Sequence, residues 1–264
     1  MQRISKIAAS PNKIPPALAR KWRAFAIRIN NAVKSAKRPG CLPLFGLKEM
    51  GEIQSRALLK TDASDHLMTY FVEALSARPR LIVELGVRGG ESTYVFERVA
   101  RLCRGALLSV DLQDCLKTTS YPGAHFVRSD DIAFAGRFEA WCSQHNLKPE
   151  IDVLLIDSSH LYDHTVQEID CWFPFLPKTA KVFFHDTNLQ EIFERRDGTR
   201  DFGWDNDRGV IRALEKFFNQ SFNEKQDFVD YRSGWLIKHV AICNGLTILE
   251  KFTLPEGEAA IVRD

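Results

Sequence analysis

The chain has 264 residues, 45% hydrophobic and 27% charged, with a net charge of +2. That composition belongs to a globular chain with enough core to need no staples. No apolar run approaches the ~18 residues of a membrane-spanning helix, and the N-terminus has no apolar signal region. The six cysteines (41, 103, 115, 142, 171, 243) form no C-x-x-C pair and no compact disulfide framework. A cytoplasmic protein with reduced thiols is expected.

Charge is unevenly spread. Residues 1–40 hold ten Lys or Arg and no Asp or Glu, leaving 26 basic and 34 acidic residues in the rest, a net of −8. The acidic body argues against sequence-specific nucleic-acid binding, and a basic leader alone gives only unspecific phosphate attraction. Pro11, Pro15 and Pro16 keep residues 1–15 loose. Leu18, Trp22, Phe25, Ile29 and Val33 then recur at helical spacing among Arg20, Lys21, Arg23, Arg28 and Lys34, until Pro39-Gly40. Residues 1–40 therefore read as a basic amphipathic extension on a domain spanning 41–264. Its open roles are packing on that domain, contact with a second subunit in a homo-oligomer, a transit peptide, or peripheral contact through residues 17–38 with the inner membrane surface.

A helix is expected over 65–77, capped by Asp62 or Ser64 and stopped by Pro79. Leu81-Ile82-Val83 is an unbroken apolar run, as in a strand buried on both faces. Glu84 and Gly86 end it, Gly89 and Gly90 follow, and Ser92 or Thr93 is placed to cap a helix over 91–103. Strands are expected at 106–110, 123–127, 151–157 and 181–185, with helices over 132–145, 163–173 and 209–219. Two late antiparallel strands are expected at 227–238 and 240–250, and a polar loop over the site at 189–207. This alternation predicts an α/β, Rossmann-like doubly wound, mostly parallel seven-stranded sheet with an antiparallel last strand, plus an N-terminal helical extension.

Strand ends carry the candidate chemistry. Gly86-Val87-Arg88-Gly89 is neither G-x-G-x-x-G nor a P-loop. A carboxylate before such a turn, Glu84, suits a ligand with a cationic or zwitterionic tail. Asp111, 27 residues on, can accept from both hydroxyls of a ribose. Asp130 either bonds an adenine amino group or caps the next helix. Asp157 and the His185-Asp186 pair can supply three ligands to one face of an octahedral ion, Mg²⁺ or Mn²⁺. A non-haem iron site is the alternative for the same residues. Trp204 either stacks on an acceptor or anchors the loop.

Two motifs carry a family resemblance. E-x-G-x-x-x-G-x-[ST], over Glu84, Gly86, Gly90 and Ser92, resembles the first motif of class I S-adenosylmethionine (SAM) dependent methyltransferases. D-x-x-H-x-Y-x(7)-D, over Asp157, His160, Tyr162 and Asp170, is followed by His185-Asp186-Thr187. The set resembles the metal-dependent sugar O-methyltransferases of the macrocin and mycinamicin type, grouped with cephalosporin-hydroxylase-like proteins, over roughly residues 60–250. The resemblance implies a SAM cofactor, metal ligation by Asp157, His185 and Asp186, and His160 as general base. The acceptor implied is a hydroxyl of a small molecule or glycoside. His185 departs from the pattern, standing where several members have Asp or Glu. Competing readings are an NAD-dependent or non-haem metal oxidoreductase, and a non-catalytic SAM-fold binding protein.

Overall fold

The computed structural model describes residues 16–35, 48–115 and 119–251. The expectations for residues 1–15 and for Pro39-Gly40 lie outside these. Two helices, α1 (Pro16–Ser35) and α2 (Lys48–Ala57), precede α3 (Leu67–Ser76). Then come β1 (Leu81–Leu85), α4 (Glu91–Cys103), β2 (Ala106–Asp111) and β3 (Ala124–Arg128). Two short helices, α5 (Asp131–Ala135) and α6 (Phe138–Gln144), replace the single helix expected over 132–145, the break falling at Gly136-Arg137. β4 (Val153–Ile156), α7 (Tyr162–Trp172) and β5 (Lys181–His185) complete the parallel part. A hairpin of β6 (Ile192–Glu194) and β7 (Arg200–Phe202), helix α8 (Gly209–Phe218), and strands β8 (Phe228–Arg232), β9 (Trp235–Val240) and β10 (Leu246–Lys251) follow.

The main sheet runs β3-β2-β1-β4-β5-β10-β9-β8. The first five strands are parallel, and β10 joins β5 antiparallel, as expected of the last strand. The sheet has eight strands, not seven, because the stretch read as one strand over 227–238 folds back on itself. Arg232 pairs with Trp235 across Ser233 and Gly234, both at positive φ (49° and 81°), the two-residue turn that closes a tight hairpin.

Period-two alternation sorts the core into two layers. Leu81, Val83 and Leu85 of β1 face one cluster with Leu154, Val182, Trp172 and Leu214; Ile82 faces the other with Tyr70, Phe96, Leu107, Leu155 and Phe183. The strand order reverses between β1 and β4, which opens a crevice at their carboxyl ends. Neither Asp62 nor Ser64 caps α3: His66 occupies that position without a side-chain cap, and Ser64 Oγ bonds back to the Thr61 carbonyl. Helix α1 packs on the β6–β7 hairpin. Asn31 donates to the Arg200 carbonyl and accepts from its amide, Asn30 donates to the Gly198 carbonyl, and Arg23 pairs with Glu191.

Candidate functional site

The crevice holds a cavity of about 650 Å³, the size range of small-molecule and cofactor sites. Its floor is the β1–α4 turn. Gly86 has φ +87°, and a Cβ placed there would stand 2.1 Å from the Asp157 carbonyl oxygen. Only glycine permits β1 and β4 to approach this closely. Gly86, Val87, Arg88, Gly89 and Ser92 line the cavity. Gly90 serves as N-cap of α4 at φ 76°. Ser92 and Thr93 do not cap that helix.

Those two hydroxyls instead hold Glu84. Ser92 Oγ donates to Glu84 Oε1 at 2.5 Å, and Thr93 Oγ1 and Ser109 Oγ donate to Oε2 at 2.8 and 2.6 Å. Glu84 is fully buried beneath the turn, and burial pushes its carboxyl up to about 7 against the three hydroxyl donors. Sequence reasoning placed it against the ligand; the fold places it one layer below, tying β1, β2 and α4 together.

Asp111 and Asp130 line the same cavity. Asp111 Oδ2 accepts from the amides of Val87 and Arg88 at 2.7 and 3.1 Å, and Oδ1 from the amide of Gln113. The side chain read as a ribose acceptor thus also fixes the glycine turn. Asp130 caps α5, accepting from the Ala133 amide at 2.8 Å. Beside it, Asp131 bonds His164, and the fully buried Glu168 accepts from Ser158. Burial and the neighbouring Asp131 hold the Glu168 carboxyl well above its usual range.

The far end of the cavity joins β4 and β5. Asp157, His160 and Asp186 bring one donor atom each within 4.8 Å of one another. His160 Nε2 stands 3.3 Å from Asp186 Oδ2, and its Nδ1 stands 3.9 Å from Asp157 Oδ1. Both His160 (φ 59°) and Asp186 (φ 57°) adopt left-handed backbone conformations, strain of the kind stored at functional sites. His160 Nδ1 and Asp186 Oδ1 are buried without a hydrogen-bond partner. Two carboxylates, an imidazole and unsatisfied buried donor atoms fit a hard or borderline divalent cation.

His185 sits behind this group. Its Nδ1 donates to Asp157 Oδ1 at 3.1 Å and lies 3.3 Å from Asp186 Oδ1. Burial opposes a charge on this ring, but Asp186 and Asp157 outweigh it and hold the imidazole well above its ordinary pKa. A ring nitrogen that donates a proton cannot also ligate a cation. The geometry therefore groups His160, not His185, with the two carboxylates. Asp170 of the motif is exposed on α7, and Tyr162 starts that helix beneath the Arg212 guanidinium.

The segment read as a loop over 189–207 contains the β6–β7 hairpin, which sends Phe193, Arg195, Asp201 and Phe202 to the cavity wall. Asp197-Gly198 at its tip was the available signal, since Asp-Gly favours tight hairpins. Trp204 is 44% exposed, with its ring 6.1 Å from that of His160.

Residues 83–187 match the family model described as a methyltransferase domain. No curated protein sequence matches the chain. Among solved structures, an O-methyltransferase from Bacillus cereus in complex with S-adenosylhomocysteine (SAH) is 13% identical. The match covers 85% of this chain and 100% of that one, with a TM-score of 0.51. The O-methyltransferase TomG from Streptomyces achromogenes, involved in tomaymycin synthesis, is 11% identical over 86% of this chain and 96% of that one (TM-score 0.49). MycE, from the mycinamycin biosynthetic pathway in complex with Mg, SAH and mycinamycin VI, is 16% identical over 79% of this chain and 56% of that one (TM-score 0.48). The chain has the α/β Rossmann-like methyltransferase fold, with a methyltransferase domain matched over residues 83–187.

Proposed function

We propose that this protein transfers a methyl group from SAM to a hydroxyl of a small molecule, with a glycoside as the acceptor class. The observation that carries this reading is the convergence of Asp157, His160 and Asp186 in the same cavity as the Gly86 turn and Asp111. Carboxylates outnumber Lys and Arg in its lining, which suits a sulfonium donor. The Bacillus cereus enzyme of the same fold, in complex with SAH, supports SAM as the donor. The exposed ring of Trp204 beside His160, and that of Phe202 in the cavity wall, offer faces to a sugar or an aromatic acceptor.

Methyl transfer from a sulfonium asks mainly for alignment of donor, carbon and oxygen. The Gly86 turn and Asp111 hold the nucleoside end, and the strand ends of β4 and β5 hold the acceptor. His160 accepts the hydroxyl proton and Asp186 steadies the imidazolium that results; a positioned base contributes on the order of 10²–10⁴-fold. Asp157 and Asp186, oriented from behind by His185, would hold a divalent cation such as Mg²⁺ or Mn²⁺, which lowers the pKa of a bound hydroxyl.

The spacing of the three donor atoms favours a second reading, in which His160 is itself a ligand. Mn²⁺ titration of His160→Gln separates the two. Unchanged cation affinity with lost turnover assigns the base role, whereas loss of both assigns the ligand role. The function itself is tested by SAM consumption against a glycoside panel, with Mg²⁺ or Mn²⁺ added or chelated. Binding of NAD with no binding of SAM or SAH would overturn it in favour of an oxidoreductase.

A further inference from the structure

The amphipathic helix α1 is mounted on the domain by its polar side. Arg23, Asn30 and Asn31 make its bonds to the β6–β7 hairpin, and Ile27 between them is buried. The apolar stripe lies on the opposite side. Phe25 and Ile29 on that stripe are 55% and 50% exposed, and in the sequence Leu18, Trp22 and Val33 recur at the same helical spacing. Lys21 and Arg28, both exposed, border the stripe. The docked arrangement is thus the reverse of a surface helix that buries its apolar face on its own domain.

We propose that α1 is a docking element for anionic lipid headgroups, its outward stripe entering the interface and its flanking cations meeting the lipid charge. Charge complementarity selects this occupant. Residues 1–40 carry ten Lys or Arg and no carboxylate, while the body is net −8. An aromatic and aliphatic stripe edged by Lys and Arg is the pattern of helices that lie in a membrane interface. Docking there sets the hairpin, whose Phe193, Arg195 and Phe202 wall the cavity, beside the lipid surface. The proposal does not depend on which reaction the cavity performs.

The test is flotation of the full chain with vesicles of phosphatidylcholine alone and of phosphatidylcholine mixed with phosphatidylglycerol, alongside sedimentation without lipid. Binding is expected only to the anionic vesicles and falls with salt. Each cation near such a surface is worth about fivefold in affinity, so Lys21→Gln with Arg28→Gln weakens binding about thirtyfold. Ile29→Glu abolishes binding, and Val229→Glu, on the exposed face of β8, leaves it unchanged. Equal binding to neutral vesicles, or binding to neither, overturns the proposal. So does lipid-free self-association that Ile29→Glu removes, which would make the stripe a contact between copies of this chain.

Discussion

Glu84→Gln isolates the energetics of the layer beneath the Gly86 turn. The carboxyl is fully buried, with a pKa of about 7 against 4.5 for the ordinary group, because desolvation outweighs the hydroxyls of Ser109, Ser92 and Thr93. Above about pH 4.5 the unfolded chain is ionised while the folded chain still holds the proton. Stability therefore falls as pH rises from about 4.5 to about 7, and the full loss persists above that window. A shift of about 2.5 units corresponds to about 3 kcal/mol. Glutamine has the same shape, and its amide can donate where a hydroxyl rotates to accept, so the variant keeps the contacts without the titration. Urea unfolding at about pH 5 and about pH 8 should show the wild type losing about 2.5 kcal/mol more than the variant, since part of the loss is already present at the lower pH. Parallel pH profiles for the two proteins would refute the claim that a buried charge appears beneath the turn at neutral pH.

Gly86→Ala forces a methyl group to within 2.1 Å of the Asp157 carbonyl at a φ of +87°. It should lower the melting temperature and, by parting β1 from β4, remove SAH binding in calorimetry; a backbone misfit of this kind costs about 1–3 kcal/mol. Asp186→Asn should reduce turnover by at least about 10²-fold and weaken Mn²⁺ binding, while SAH affinity stays within about threefold. Retained turnover in that variant under chelation would remove the cation from the mechanism. Asn31→Ala deletes both bonds to the Arg200 backbone, about 1 kcal/mol each, and should speed proteolytic cleavage within residues 16–35 without changing the global melting temperature.

The parallel half of the fold was legible because its signals are local. The run Leu81-Ile82-Val83, the glycines after it, and acids at the ends of 106–111 and 124–128 each mark a strand end without knowledge of its neighbours. Roles set by tertiary partners were not legible. Ser92 and Thr93 look like helix caps in sequence, but the nearest unsatisfied acceptor in space is Glu84, so they bond to it instead. His185 and His160 both read as candidates for the same site. Only the fold shows that His185 is 2% exposed with its Nδ1 bonded to Asp157, while His160 groups with the two carboxylates. The β6–β7 hairpin left only the Asp197-Gly198 pair as a signal, because three-residue strands are too short to show alternation.

The left-handed conformations at His160 and Asp186 persist only if their surroundings over-determine them. For Asp186 the clamp comes from the turn between β9 and β10. Asn188 donates its amide to the Asn244 carbonyl at 2.6 Å and its side chain to the Ala241 carbonyl at 2.7 Å. Gly245 sits so close to Asn188 that a Cβ would stand 2.5 Å from its amide nitrogen. For His160 the clamp is the start of α8. Asn206 donates to the His160 carbonyl, and a Cβ at Gly209 would stand 2.4 Å from that oxygen. These clamps all lie after residue 187, where the match to the methyltransferase family model ends. The matched segment supplies the Gly86 turn and the acids Asp111, Asp157 and Asp186. The carboxyl-terminal segment holds His160 and Asp186, beyond the ends of β4 and β5, in their left-handed conformations at the cavity, so substitutions at Gly209 or Gly245 should disturb His160 and Asp186 while leaving the Gly86 turn intact.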